Sequence, residues 1–390
     1  MLEPIVQIVH YSDIHLRSDS YLQQRSALAR LQRCLPAHWR QGLGAADRAA
    51  LAAFRQFLER HLSQDPAWRQ RPTWLVDTGD GTTFGDAEAL NEWVQVWSPR
   101  FLRAMGPAAR QVMLYGNHDA WPGSLPLAQP GLMAAKRDQL RRRWFRQTWP
   151  MPPLTADIPG LAGGRVELYM ANTVDHRALH CALAWGVAAP DRWWEPRPAM
   201  VGPTPADDIR RVARTFADDG RGAHLRILAT HYPIGDASQA GSFFEVLRNR
   251  AEFAQALATR QDVGHPMVHL LLSGHTHRTF PDIGQWPGTH RDARHEPLHA
   301  GTLQSQCGSL GQRPVGGGTS APSPTMDHAE ACRALFPYQA TLLRLYGNRD
   351  APRTLTLERI TLGRQASGPF GLLPVAPGST EVAERMTVVL

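Results

Sequence analysis

No run of about 18 apolar residues occurs anywhere in the chain, so a membrane-spanning helix is excluded. Cysteine is scarce. Cys34, Cys181, Cys307 and Cys332 are the only four, and no two of them form a C-x-x-C pair. That spacing argues against a structural zinc site and against a dense disulfide framework, and it suits a reducing compartment. Lysine is nearly missing: of 42 basic residues only Lys136 is one, which leaves 41 arginines. The first ten residues lack a basic segment, a long apolar segment and a cleavage motif, so the expected location is cytoplasmic. No internal repeat is present.

The basic excess is +7 over 390 residues, with 20% charged and 43% hydrophobic residues. This composition excludes wholesale disorder. The charge suits an anionic substrate or partner but is too diffuse to define a nucleic-acid binder. The densest basic stretch, Lys136 to Arg146, interleaves arginines with Trp144 and Phe145. It has two interpretations: a nucleic-acid or acidic-membrane contact, or a peripheral helix that packs Leu140 and Trp144 inward and turns its arginines to solvent. The second is favoured.

Apolar, β-branched runs over 5–13, 74–80, 111–119, 166–173, 226–233 and 267–277 each end in a polar cluster and predict buried strands. Three- and four-residue apolar spacing predicts helices over 45–62, 87–105, 132–148, 205–218 and 243–258. Strands alternating with helices define an α/β class. After residue 277, runs over 298–304, 338–346 and 354–362 predict consecutive strands with antiparallel pairing. The expected organisation is one catalytic domain over 1–364, with long insertions at 17–44, 121–165 and 176–205, a Gly/Ser/Pro-rich loop at 306–328, and a C-terminal tail over 365–390.

Five clusters fall at predicted strand ends: Asp13-Ile14-His15, Gly79-Asp80, Gly116-Asn117-His118-Asp119, Thr230-His231 and Gly274-His275-Thr276-His277. Taken singly each is ordinary, a turn or a buried histidine. Together they place imidazole, carboxylate and amide donors where open α/β sheets bind ligands. A mixed N/O donor set without thiolate suits Mn²⁺, Fe or Zn²⁺. On extended backbone, residues two apart point the same way, so Asp13/His15 and His275/His277 are expected to act as pairs. The glycines before Asp80, Asn117 and His275 are expected to permit sharp turns.

The order D-x-H, G-D, G-N-H-D, H, G-H-x-H resembles the calcineurin-like metallophosphoesterase superfamily, over the stretch from Asp13 to His277. The resemblance implies a four-layer αββα fold, two packed mixed β-sheets flanked by helices, with two divalent or mixed-valence metal ions at one edge. It implies Asp13, His15 and His277 on the first metal, Asn117, His231 and His275 on the second, and Asp80 bridging them. His118 is then expected beside the substrate, as proton donor to the leaving group, with Asp119 orienting it. The implied activity is hydrolysis of phosphate esters by metal-activated water, with no serine or cysteine nucleophile.

Leu16 after D-x-H, and Ala120-Trp121 after G-N-H-D, resemble the bacterial cyclic-nucleotide phosphodiesterases, so a diesterase acting on a nucleotide-type small molecule is the expected case. A phosphomonoesterase and a nuclease similar to DNA double-strand-break repair nucleases are the alternatives within the superfamily. A catalytically inactive scaffold is the alternative outside enzymology. The sequence does not define an oligomeric state.

Overall fold

The computed structural model describes residues 4–16, 48–64, 70–83, 85–97, 99–120, 139–140, 142, 153–171, 173–174, 210–211, 214, 225–234, 268–275, 303–306, 339–347, 354–362 and 380–389. Two β-sheets pack face to face. The first contains β1 (Pro4–Tyr11), β2 (Thr73–Asp77), β3 (Arg110–Met113), β9 (Gln339–Tyr346), β10 (Thr354–Leu362) and β11 (Thr380–Val389), in the order β11-β10-β9-β1-β2-β3. The second runs β4-β5-β6-β7-β8, with β4 (Leu154–Asp157), β5 (Arg165–Met170), β6 (Leu225–Ala229), β7 (Leu270–Ser273) and β8 (Leu303–Gln306).

Both sheets are mixed. β1, β2 and β3 run parallel, and β9, β10 and β11 add to β1 in antiparallel fashion. β5 to β8 are parallel, with β4 antiparallel at the edge. Parallel strands covered on both faces carry nearly continuous apolar sequence, and β2, β6 and β7 are buried at every position.

Strand alternation sorts the side chains into two cores. Ile8, Trp74, Val76 and Leu343 of the first sheet face Val166, Leu168, Ile227 and Leu272 of the second. On the other face of the first sheet, Val9, Tyr11 and Leu75 pack with three helices, α1 (Arg48–Gln64), α2 (Ala87–Gln95) and α3 (Pro99–Met105). In α1, Leu51, Phe54, Phe57 and Leu58 are buried while Gln56, Glu59 and Arg60 are exposed, the stripe expected of a helix on a sheet. Each such buried side chain contributes roughly 1.5–3 kcal/mol.

Several expectations are corrected. The helix predicted over 87–105 is two helices, because Pro99 has no N–H to continue α2 and instead starts α3. Asp86 starts α2 by accepting from the Ala89 N–H at 2.9 Å. The strand predicted over 298–304 lies at 303–306, joins the second sheet and runs parallel to β7. Within the tail predicted over 365–390, residues 380–389 form β11, paired along its length with β10. Within the insertion predicted over 121–165, β4 forms the edge of the second sheet. The helix predicted over 243–258 lies outside the described residues. So do most of 132–148 and 205–218, of which 210, 211 and 214 are helical. Segments 17–44, 176–205 and 307–328 also lie outside the described residues.

Candidate metal centre

The C-terminal ends of β1, β2 and β3 in one sheet and of β6 and β7 in the other open onto one edge. There the loops interlock through backbone hydrogen bonds. Asp13 N donates to Gly79 O and His15 N donates to Asp80 O, each at 2.9 Å, and Gly274 N donates to His231 O at 3.1 Å. Bonds across the edge tie the sheets together: His231 Nδ1 donates to Thr78 O at 2.8 Å, and His275 N donates to Asp13 Oδ2 at 2.9 Å.

The loop backbone is strained in a concentrated way. Among the described residues, Asp13, His15, Asp80 and His275 are the non-glycine residues with positive φ, at 55°, 54°, 53° and 73°. Each such conformation costs about 1–3 kcal/mol and persists only where the surroundings hold it. This corrects the expectation of an extended D-x-H segment. Asp13 and His15 converge all the same, with His15 Nε2 3.7 Å from Asp13 Oδ1.

The glycines serve a purpose other than the sharp turns expected of them at two of three positions. Gly79 has φ 107° and fits that expectation. Gly116 and Gly274 are sites of close approach. A Cβ on Gly116 would lie 2.0 Å from Asp80 Oδ1, and one on Gly274 would lie 1.8 Å from Ser12 Oγ.

Side chains from both sheets meet at Asp80. Its Oδ2 lies 3.5 Å from His231 Nε2, 3.9 Å from His15 Nε2 and 3.9 Å from His118 Nε2, while its Oδ1 accepts from the His118 backbone N–H at 2.9 Å. Two groups of metal-capable side chains share Asp80. His15, Asp80 and His118 form one, and Asp80, His231 and His275 form the other, with ligand atoms within 4.8 Å of one another in each. Asn117 Oδ1 joins the second group, 3.0 Å from His231 Nε2.

The donor set fits a divalent cation. A carbonyl only accepts, so His231 Nδ1 carries the proton that it donates to Thr78 O. Nε2 faces two oxygens, the Asn117 amide oxygen at 3.0 Å and the Asp80 carboxylate at 3.5 Å. Such buried acceptors call for positive charge among them, which a proton on Nε2 supplies and a divalent cation would replace. The charges lean the same way. Burial alone would raise the Asp80 carboxyl, but the imidazoles of His231 and His118 outweigh it and hold the group below the usual carboxylate range. Burial opposes the charge on His231, yet Asp80 wins and raises it to about 9.

The structure brings seven of the nine candidate residues to this point: Asp13, His15, Asp80, Asn117, His118, His231 and His275. His277 lies outside the described residues. Asp119, expected to orient His118, sits directly behind, fully buried; Thr83 O takes His118 Nδ1, and the hydrogen bonds of Asp119 lie on the loops. Its carboxylate accepts from Gly116 N, Thr82 N and Thr82 Oγ1 at 2.8 Å each and from Gly81 N at 3.3 Å. Burial, then the nearby Asp80 charge, raises its carboxyl to about 7. His118 Nδ1 donates to Thr83 O at 2.9 Å, which fixes the ring with Nε2 toward Asp80. Thr78 and Thr83 were not foreseen, because they act through backbone carbonyls that no residue type announces. His118 is more open than His15 and His231, with 13% side-chain exposure against 0% and 1%.

Two packed mixed sheets with an N/O donor cluster at one edge define an α/β protein with a candidate metal centre. The chain belongs to the calcineurin-like phosphoesterase family, whose model matches residues 6–279. Hydrolysis of phosphoesters is the chemistry of that family. Among solved structures, a dimetal phosphatase from Danio rerio is similar over 99% of this chain and 99% of its own, with 10% identity and a TM-score of 0.46. No curated protein matches the chain. Among the described residues no helix is long and apolar enough to cross a membrane.

Proposed function

We propose that the chain is a dinuclear metal-dependent phosphodiesterase that acts on a nucleotide-type small molecule. The observation that carries the dinuclear part is the sharing of Asp80 between two ligand groups. In this assignment Asp13, His15 and His277 hold one ion, Asn117, His231 and His275 hold the other, and Asp80 bridges. The nitrogen and oxygen donors suit Mn²⁺ or Fe, with Zn²⁺ also compatible. When bound, two such ions supply Lewis acidity toward a phosphoryl group and a lowered pKa for water.

The residues then divide the remaining work. His118 Nε2 is as close to Asp80 as His15 Nε2 is, so distance alone would admit it as a ligand. Its greater exposure supports the substrate side instead. With Nδ1 held by Thr83 O, Nε2 is the ring nitrogen that would carry a proton to the leaving oxygen. Asp119 keeps the Asp80 and Asn117 loops in register through its four donors.

The diesterase preference rests on Leu16 and on Ala120-Trp121, whose resemblance is described above. The described part of the basic stretch supports its packed interpretation, since Leu140 is buried and Gln139 and Arg142 are exposed. Scattered single cysteines support a cytoplasmic location. A metal-replete screen over cyclic nucleotides, bis-aryl phosphates, aryl monophosphates and single-stranded DNA tests the proposal. Turnover of the first two ahead of the others is expected. Preference for monoesters would overturn the diesterase assignment, and DNA cleavage that falls steeply with salt would favour the nuclease. A chain that takes up no metal under replete conditions would be the inactive scaffold.

A further inference from the structure

We infer that Asp77, held by Trp93, is a positioning residue that sets the shape of the Asp80 turn and thereby the metal affinity of the centre. The inference rests on the dinuclear proposal above. Asp77 is the one acid in β2, Thr73-Trp74-Leu75-Val76-Asp77, and it is fully buried. Burial pushes its carboxyl well above the usual range, so a charge here is costly unless its oxygens are satisfied.

They are satisfied, and by the groups that flank the site. Oδ1 accepts from Gly79 N at 2.9 Å, and Oδ2 accepts from Trp93 Nε1 at 2.7 Å. The Tyr11 hydroxyl, which accepts from Trp97 Nε1 at 2.5 Å, hydrogen-bonds to the same carboxyl group. Tyr11 lies two residues before Asp13, and Asp77 lies three before Asp80. The indole of Trp93 also packs on the far side of the turn, where a Cβ on Gly81 would lie 1.9 Å from the ring. Asp80 is therefore bracketed. Gly79 before it is tied to Asp77, and Gly81 after it is packed on Trp93. Between them Asp80 keeps a left-handed φ of 53°. A non-glycine residue in that conformation is disfavoured by about 1–2 kcal/mol and needs such a clamp.

Asp77 and Trp93 belong to neither ligand group, so their effect passes through the turn. Asp77→Asn keeps the volume but replaces one acceptor oxygen by an NH₂ donor. Whichever way the amide turns, a donor faces either the Gly79 N–H or the Trp93 N–H. Trp93→Phe removes the second of these donors and, with it, the indole atoms packed on Gly81. Leu168→Ala, in the inter-sheet core, supplies a stability control.

Affinity for Mn²⁺ alone, measured on the full chain by competition with a chelator and set beside the Tm of the metal-free protein, tests this. Asp77→Asn is expected to weaken Mn²⁺ binding about 10–100-fold, the range for outer partners of metal ligands. Trp93→Phe, which removes both the Nε1 donor to Asp77 and the ring atoms packed on Gly81, is expected to weaken binding in the same direction, and Leu168→Ala to lower Tm with unchanged affinity. Binding by Asp77→Asn or by Trp93→Phe within about twofold of wild type would overturn the inference. So would a parallel affinity loss in Leu168→Ala. In each of those cases the dinuclear proposal stands, because the wild-type chain still binds Mn²⁺. A wild-type chain that binds none would remove both.

Discussion

The His275 backbone N–H donates to Asp13 Oδ2 at 2.9 Å, a bond that joins residues 262 positions apart and fastens the second sheet to the first at the metal edge. Gly274 makes this approach possible. A methyl at that position would lie 1.8 Å from Ser12 Oγ and 2.8 Å from Asp13 Oδ2. Gly274→Ala is therefore expected to displace Asp13, reduce bound metal and cost about 1–3 kcal/mol of stability through overpacking. Metal analysis by mass spectrometry, together with denaturant unfolding, checks both effects. Wild-type metal content in this variant would show that the contact does not govern the site.

Asp80→Ala removes the carboxylate that both ligand groups share. Metal content is expected to fall from about two ions per chain, and turnover to disappear. Loss of one ion with activity retained would contradict a bridging role.

His118→Ala is expected to spare metal content, because His118 is assigned to the substrate side. It should slow esters with poor leaving groups about 10²–10⁴-fold and activated aryl esters much less. Equal slowing across leaving groups would argue against proton donation, and loss of an ion would make His118 a ligand instead.

His10 gives the protein an acid-sensitive element. Burial lowers its pKa from 6.5 to about 3, against a smaller opposing effect of Asp13. The unfolded chain therefore binds a proton in that window that the folded chain refuses. Stability is full above about 6.5 and declines as pH falls toward 3, by up to about 1.4 kcal/mol per pH unit. Denaturation in the presence of chelator, from neutral to acid pH, should give a shallower slope for His10→Gln than for wild type. The glutamine keeps a polar group near Thr78 Oγ1, which lies 3.1 Å from His10 Nε2. Identical slopes would assign the acid sensitivity to other groups.

Chelation is expected to abolish turnover and lower Tm, because ions that bind only the folded chain stabilise it by mass action. Mn²⁺ should restore both. A Tm indifferent to chelator would mean that the ions do not contribute to holding the strained turns.

The site was legible in the sequence because its chemistry demands particular residue types at strand ends. Asp13, His15, Asp80, Asn117, His118, His231 and His275 all announce themselves in that way. Their backbone was not legible. A left-handed aspartate or histidine has no local signature, since the hydrogen bonds Asp13 N to Gly79 O and His15 N to Asp80 O that hold it come from a distant loop. Thr78 and Thr83 escaped for a related reason, contributing carbonyls that any residue owns. Asp77 carried a usable signal, an acid closing an apolar strand, that was absorbed into the strand itself. Pro99 likewise marked the break between α2 and α3. The pairing of β11 was not legible, because β10 lies across a Gly/Pro-rich stretch and nothing within 380–389 marks it as the neighbour of that strand.

Asp80 stands on one sheet and His231 on the other, 3.5 Å apart at their nearest atoms. Cations seated there would rivet the two layers, and the layers in turn would form the jaws of the cation seat. Sliding one layer past the other by a single strand spacing would part the jaws while leaving each sheet's own hydrogen-bond ladder whole.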